Sequence, residues 1–186
     1  MKLDKLHKLV EKQYCQKHPN RDDWADWMYT NHVLWVGDKT KELCGRYDAD
    51  SEIAVAAALV HDIADSIMPR NDEQHAEKGK DIGRKLCTEA GYTDEQIAVI
   101  IDDIVVHHSC YGDDRPSSLE SKVMVAADAL AHVQTDFFPH AFAQGSAFGD
   151  YDWQITWMRK KLDKDFNNKL ATIPSKQVAK VFQNNV

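Results

Sequence analysis

The chain has 186 residues, 43% hydrophobic and 28% charged, which suits one well-buried core in an ordinary globular protein. Its formal net charge of −7 argues against a nucleic-acid polymer or an anionic membrane as the main partner. Cys15, Cys44, Cys87 and Cys110 are widely spaced with no Cys-x-x-Cys, which fits reduced thiols better than a disulfide framework or a thiolate zinc site.

Nearly every segment has helical periodicity, and no stretch alternates as a strand, so the expected fold is an all-α bundle with short connections. Met1-Lys2-Leu3-Asp4-Lys5 lacks the apolar core of a signal peptide, and no apolar run reaches the length of a membrane span. A cytoplasmic location is expected. Residues 3–18 read as a first helix with Leu3, Leu6, Leu9, Val10 and Tyr14 on its apolar stripe, ended at His18-Pro19-Asn20. His7 and His18 are expected at solvent. Residues 22–45 read as a second helix, with Gly45 as its stop. Its apolar surface carries Met28, His32 and Trp35 on one face.

The third helix is expected to start with Asp50 or Ser51 as N-cap, to run through Ala56-Ala57-Ala58-Leu59-Val60-His61-Asp62-Ile63-Ala64-Asp65, and to close before Pro69-Arg70. Ala54, Ala57, Ala58, His61 and Asp65 recur at i, i+3, i+4, i+7 and i+11, so they share one face. A charged Asp62 leaving an apolar helix is costly unless it is paired or holds a cation. Asp65 is open to three uses: capping the helix end, meeting Arg70, or standing beside a bound ion. Asn71-Asp72-Glu73-Gln74 looks like a capping box opening a fourth helix, with His75 in its first turn and Gly79 and Gly83 on a face of small residues.

Thr93-Asp94-Glu95-Gln96 is a second capping box. Ile97, Ile100, Ile101, Ile104, Val105 and His108 then form one buried stripe, with His107 one step round. Residues 110–118 read as a polar turn, with Ser117 and Glu120 capping the next helix. There Ser121, Met124, Val125 and Asp128 share a face. Asp128 inside an apolar run needs a partner, either a cation or His132 four residues on. Residues 136–149 are expected to be irregular or broken helix, with Phe137, Phe138, Phe142 and Phe148 inward, covering a site or filling the core. Residues 151–170 and 174–184 read as two last helices that serve packing.

His32, His61-Asp62 and Asp128 thus lie on apolar faces of separate helices, and His75 and His107-His108 stand on two more. A His/Asp set without thiolates suits Mn, Fe, Co, Ni, Zn or Mg, and five or six ligands exceed the needs of one open catalytic ion. In this order the residues resemble the HD-domain superfamily of metal-dependent phosphohydrolases over roughly residues 28–135. Val60-His61-Asp62-Ile63-Ala64 is similar to the family's signature, and His75-Ala76-Glu77-Lys78-Gly79, Ile104-Val105-Val106-His107-His108-Ser109 and Ala126-Ala127-Asp128-Ala129-Leu130 are similar to its later motifs.

The resemblance implies an HD core over about 22–135 within a single domain of residues 1–186, with an N-terminal helix (1–20) and C-terminal helices (150–186) packed on it. It implies that His32, His61, Asp62 and Asp128 hold one divalent ion. His75 and His108, with His107 as a further candidate, would hold a second ion bridged by Asp62. Asp65, with Asp62, would orient or deprotonate the attacking water. Paired histidines occur in the cyclic-dinucleotide phosphodiesterases of the family, but their Gly-Tyr-Pro element is absent here. Asp65 stands where Lys is common, Trp35 where Arg is frequent, and Leu130 where a basic residue is frequent. The expected substrate is therefore a small phosphorylated molecule or nucleotide, in a protein free to form a homodimer. The substrate-binding residues are not assigned, with Arg70, Lys78, Lys80 and Lys122 the basic candidates. Two alternatives remain open. Some HD-like proteins use a diiron centre with this ligand order to oxidise small molecules with O₂, and a non-catalytic ligand sensor would keep the same fold.

Overall fold

A computed structural model describes residues 1–110, 115–144 and 149–173. The described residues contain helices and turns and no strand. The opening helix, α1 (Lys2–Cys15), buries Leu6, Val10 and Tyr14, as its stripe requires. A short turn, Ala25–Trp27, continues as a π-helical segment, Met28–Val33, and then as α2 (Leu34–Tyr47). Gly45 does not stop this helix. It runs on to Tyr47, and Asp48 takes the left-handed conformation at its end (φ 58°), a position Asp tolerates because its short side chain can bond locally.

The buried axis of the molecule is α3 (Ser51–Val60). Asp50 caps it, accepting from the backbone N–H of Glu52 and Ile53. Every residue from Ile53 to Val60 is buried, because α3 packs against α2, α1, the segment Val99–Val105 and the helix Leu119–Gln134. The small side chains of Ala54, Ala56, Ala57 and Ala58 permit that close approach from several sides.

The expectation that this helix carries on through Asp65 is not met. It ends at Val60, with His61 at its C-terminus. Asp62 then leaves helical geometry (φ −113°, ψ 24°), and a 3₁₀ turn covers Ile63–Ser66. This break turns the Asp62 and Asp65 carboxylates into the site.

The next helix, α4 (His75–Ala90), ends at Gly91 in the left-handed region (φ 97°). Its expected capping box does not form. The helix starts one turn later than Asn71, and Asp72 accepts from the N–H of Gln74 instead. The small face does form. A Cβ on Gly83 would lie 2.8 Å from Ile101 Cδ1 and 3.6 Å from Val60, so glycine lets α4 lie close against the segment Val99–Val105 beside α3. The Thr93–Gln96 capping box is present and opens α5 (Asp94–Ala98), which continues as a π-helical segment, Val99–Val105.

Ser118, not Ser117, caps α6 (Leu119–Gln134), while the Ser117 hydroxyl donates to Asp103 at 2.9 Å. Part of the stretch expected to be irregular is a regular helix, α7 (Phe137–Ala143), with Phe137 and Phe138 buried. Phe148 and the expected helix 174–184 lie outside the described residues. The last described helix, α8 (Tyr151–Lys164), runs into a π-helical segment, Asp165–Lys169, and a 3₁₀ turn, Leu170–Thr172. The Asp165–Lys169 segment packs on α6. Among the described residues no helix is long and apolar enough to cross a membrane.

Candidate metal centre

His32, His61 and Asp128 come from the π-helical segment before α2, from the end of α3 and from the middle of α6. Their ligand atoms all lie within 4.8 Å of one another, and all three residues are buried. His32 Nε2 is 3.3 Å from His61 Nε2 and 3.2 Å from Asp128 Oδ1, and His61 Nε2 is 3.9 Å from that oxygen. Asp62 Oδ2 stands at the edge of this set, 3.2 Å from His61 Nε2 and 3.6 Å from His32 Nε2. Ligands bound at about 2.1 Å to one ion sit roughly 3.0–3.4 Å from their neighbours in octahedral or tetrahedral geometry, a range that the spacings of 3.2 and 3.3 Å match.

The protonation pattern agrees with a cation at this point. The Nδ1–H of His61 donates to the carbonyl of Ala58 at 2.8 Å, which aims the Nε2 lone pair inward. Burial pushes the His61 imidazole down, but Asp62 and Asp128 outweigh it and raise its pKa, so the site draws positive charge here. Burial lowers the His32 pKa despite its bond to Asp128. Burial also opposes ionisation of Asp62 and Asp128. Arg70 and His61 nevertheless hold Asp62, and Lys169 and His132 hold Asp128, well below the usual carboxylate range. Four carboxylates are buried together (Asp62, Asp65, Asp128 and Asp165), and the cations paired with them are Arg70 and Lys169. Even with Lys161 near Asp165, the acids outnumber the lysine and arginine cations, an arrangement that a divalent ion would suit. The residues present therefore fit a bound divalent cation.

The other expected residues lie around this set without joining it. His75 Nε2 is 2.7 Å from Asp65 Oδ1. Arg70 bridges the two acids of the broken helix, bonding Asp62 through Nη2 and Asp65 through Nη2 at 2.6 Å and Nε at 3.2 Å. Asp65 meets Arg70, one of the uses open to it, and His75 as well. His108 donates from Nδ1 to Val105 O and turns Nε2 to within 3.8 Å of Asp62 Oδ1, while burial lowers its pKa to about 4. The two oxygens of Asp62 thus face different histidines. His107 is partly buried and donates from Nδ1 to the Asp103 carbonyl at 2.5 Å. A cavity of about 660 Å³ opens beside these groups, lined by His61, Asp62, Arg70, His75, His108 and Asp128 among others.

The expectation that residues 151–170 serve packing alone is corrected. Asp165 and Lys169 are buried in the site. Lys169 Nζ bonds Asp128 Oδ2, leaving Oδ1 to His32, and lies 3.7 Å from Asp165. His132 joins Asp165 to Asp128, at 2.8 Å through Nδ1 and 3.4 Å through Nε2. The signal was present in the sequence. Leu162, Asp165, Phe166, Lys169 and Leu170 recur at i, i+3, i+4, i+7 and i+8, which places an acid and a base on the apolar stripe. Asp165 and Lys169 sit within one π-helical segment and His32 within another, and His107 and His108 follow a third. The wider π turn changes the direction of a side chain by inserting one residue, and such turns recur at functional sites.

Ribonuclease Y from Lactobacillus gasseri is 31% identical over 102 residues, covering 54% of this chain and 17% of that protein. Ribonuclease Y from Listeria welshimeri is 34% identical over 101 residues, again 54% of this chain and 17% of the relative. The chain therefore matches less than a fifth of the length of these curated relatives. The crystal structure of a predicted HD superfamily hydrolase from an uncultured Thermotogales bacterium shares the fold, with a TM-score of 0.55 at 20% identity over 98% of this chain and 90% of that one. The family model of the HD domain matches residues 29–132, the span that carries His32, His61, Asp62, His75, His108 and Asp128, and the chain belongs to the HD domain family.

Proposed function

We propose that this protein is a metal-dependent phosphohydrolase acting on a small phosphoester or nucleotide. The observation that carries the reading is the buried set of His32, His61 and Asp128, with Asp62 at its edge, opening on a cavity. The relatives named ribonucleases act on phosphoester bonds, and the net charge of −7 favours a small substrate over a polymer. His32, His61, Asp62 and Asp128 would hold a divalent ion of the Mn, Fe, Co, Ni, Zn or Mg group. The division of Asp62 between His61 and His108 supports a second ion beside Asp62 Oδ1 and His108, with His75 or His107 as further ligands. When bound, such an ion polarises the phosphoryl oxygens and lowers the pKa of water from near 16 towards roughly 7.

The chain's own groups supply the rest. Arg70 favours the ionised form of Asp62 and fixes the direction of both Asp62 and Asp65. Asp65 is bonded to His75 Nε2 at 2.7 Å, and His75 lines the cavity. This pairing supports a role for Asp65 through His75, orienting the base that takes a proton from water or returns one to the leaving group. Lys169 and His132 hold Asp128 so that Oδ1 faces His32.

The test is a hydrolysis screen of phosphorylated metabolites and nucleotides with each metal, alongside metal analysis of the purified protein. Asp62→Ala should lose bound metal and at least about 100-fold in activity. Full activity after metal depletion would overturn the reading, and so would tightly bound iron with O₂ consumption and no phosphate release.

A further inference from the structure

The cavity beside the metal centre has a wall that the proposed chemistry does not use. It is one face of α8. Trp153, Trp157, Lys161 and Lys164 recur at i, i+4, i+8 and i+11, so they stand in a row along the helix, and all four line the cavity. This face lies outside the stretch that matches the family. The two indoles are nearly parallel, 8° between planes with centroids 6.3 Å apart, and Trp153 is 49% exposed at the rim. Phe137 carries the aromatic surface inward, 6.3 Å from Trp157 and 5.5 Å from His32. Lys161 Nζ sits over the same Phe137 ring at 5.3 Å, so one ring separates this ammonium from a proposed metal ligand.

Lys161 differs from the other cations of the site. Arg70 is committed to Asp62 and Asp65, and Lys169 to Asp128 and Asp165. Among the described residues Lys161 forms no salt bridge, and burial lowers its pKa to about 8. Asp165 is near enough to favour the charged form but makes no salt bridge with it, so this partly desolvated cation still gains from an anion brought beside it. An exposed tryptophan and a second parallel indole offer a flat apolar platform for a planar ring, a sequence-tolerant contact that nucleobases also use. The volume of about 660 Å³ suits a ligand carrying both groups.

We propose that the Trp153–Trp157–Lys161 face of α8 is a substrate subsite for a phosphomonoester carrying a planar aromatic ring, with the ring against the indoles and the phosphate between Lys161 and the metal centre. The subsite rests on the phosphohydrolase reading only for what happens to the bound phosphate. Its chemistry is shared by mononucleotides and by simple aryl phosphates.

Calorimetric titration of the full chain in EDTA reads binding without turnover, using adenosine monophosphate, phenyl phosphate, glycerol 3-phosphate and inorganic phosphate as probes. The first two should bind about tenfold more tightly than the last two. The aryl arm separates a general aromatic preference from a nucleotide one, according to which of the two binds more tightly. Trp153→Ala, a change at the exposed rim, should remove that advantage and leave inorganic phosphate unchanged. Lys161→Gln should weaken all four about tenfold, and Lys161→Arg should restore them. Unchanged affinities in Trp153→Ala and Lys161→Gln overturn the proposal, as does a parent protein that binds neither aromatic phosphate. Rate measurements with Mn²⁺ keep the two readings apart. Binding as expected with no phosphate release under any metal removes the hydrolase reading and leaves the subsite. Release from glycerol 3-phosphate as efficient as from the aromatic esters, in parent and variants alike, removes the subsite and leaves the hydrolase.

Discussion

Asp128 shows how one buried carboxylate is divided between partners. Oδ2 belongs to Lys169, and Oδ1 faces His32 and His132. Removing one partner of a buried pair typically costs about 3–5 kcal/mol because the remaining charge is left uncompensated. Lys169→Met should therefore lower the thermal stability of the metal-free protein sharply, and saturating Mn²⁺ should recover part of the loss. An unchanged melting temperature in EDTA would contradict this. His132 makes a second residue-scale prediction. Burial, helped by Lys161, depresses its pKa to about 3. A histidine held neutral in the fold contributes stability that is fully present above its unfolded pKa of roughly 6.5 and is lost as pH falls towards 3. Urea unfolding of the metal-free protein should show stability falling between pH 7 and 5, with a shallower fall in His132→Gln. The need of Asp128 for a partner was legible in the sequence. The identity of Lys169 as that partner was not, because 41 residues and a turn of the chain separate them.

Among the elements, α3 and α4 illustrate what periodicity conveys and what it omits. The apolar and small-residue faces predicted both helices and close packing on the small face of α4, which the structure shows at Gly83 against Ile101. Gly83→Val should destabilise the protein by about 1–3 kcal/mol in denaturant unfolding, since its branches would meet Ile101 and Val60. Gly83→Ala should cost less, because the nearest atom is the flexible end of Ile101. Periodicity did not reveal where α3 stops. The run Ile63-Ala64 continues the apolar pattern, yet the backbone turns at Asp62, since Arg70 and the histidines reward carboxylates that leave the helix. The π-helical segments were equally silent in the sequence. A single inserted residue changes the phase of a stripe without changing its composition.

At the scale of the whole molecule, the proposed ion ties together the segment before α2, the end of α3 and the middle of α6, which are far apart in the chain. An ion bound to the folded state alone at 100 times its dissociation constant adds about 2.7 kcal/mol. For a chain of this size that is about 5–10 °C in melting temperature. Thermal unfolding with EDTA and with added Mn²⁺, Co²⁺ or Fe²⁺ should differ by that amount, and Asp62→Ala should abolish the difference. Identical curves in the parent protein would count against a structural hold by the metal.

By itself the sequence determined the all-α class and the order of the helices, because burial periodicity is a local fact, and the motifs around His32, His61, Asp62 and Asp128 carried the resemblance to the family. It also carried the Thr93 cap and narrowed the α3 cap to Asp50 or Ser51, of which the structure shows Asp50; caps depend on neighbours within one turn. Only the tertiary structure decided which cation meets which carboxylate, that Asp65 joins Arg70 and His75, and that α8 and its continuation bring Lys161, Asp165 and Lys169 to the site. Those pairings are long-range electrostatic choices. Helical periodicity specifies which face a residue occupies, but the packing of one helix on another determines what that face meets.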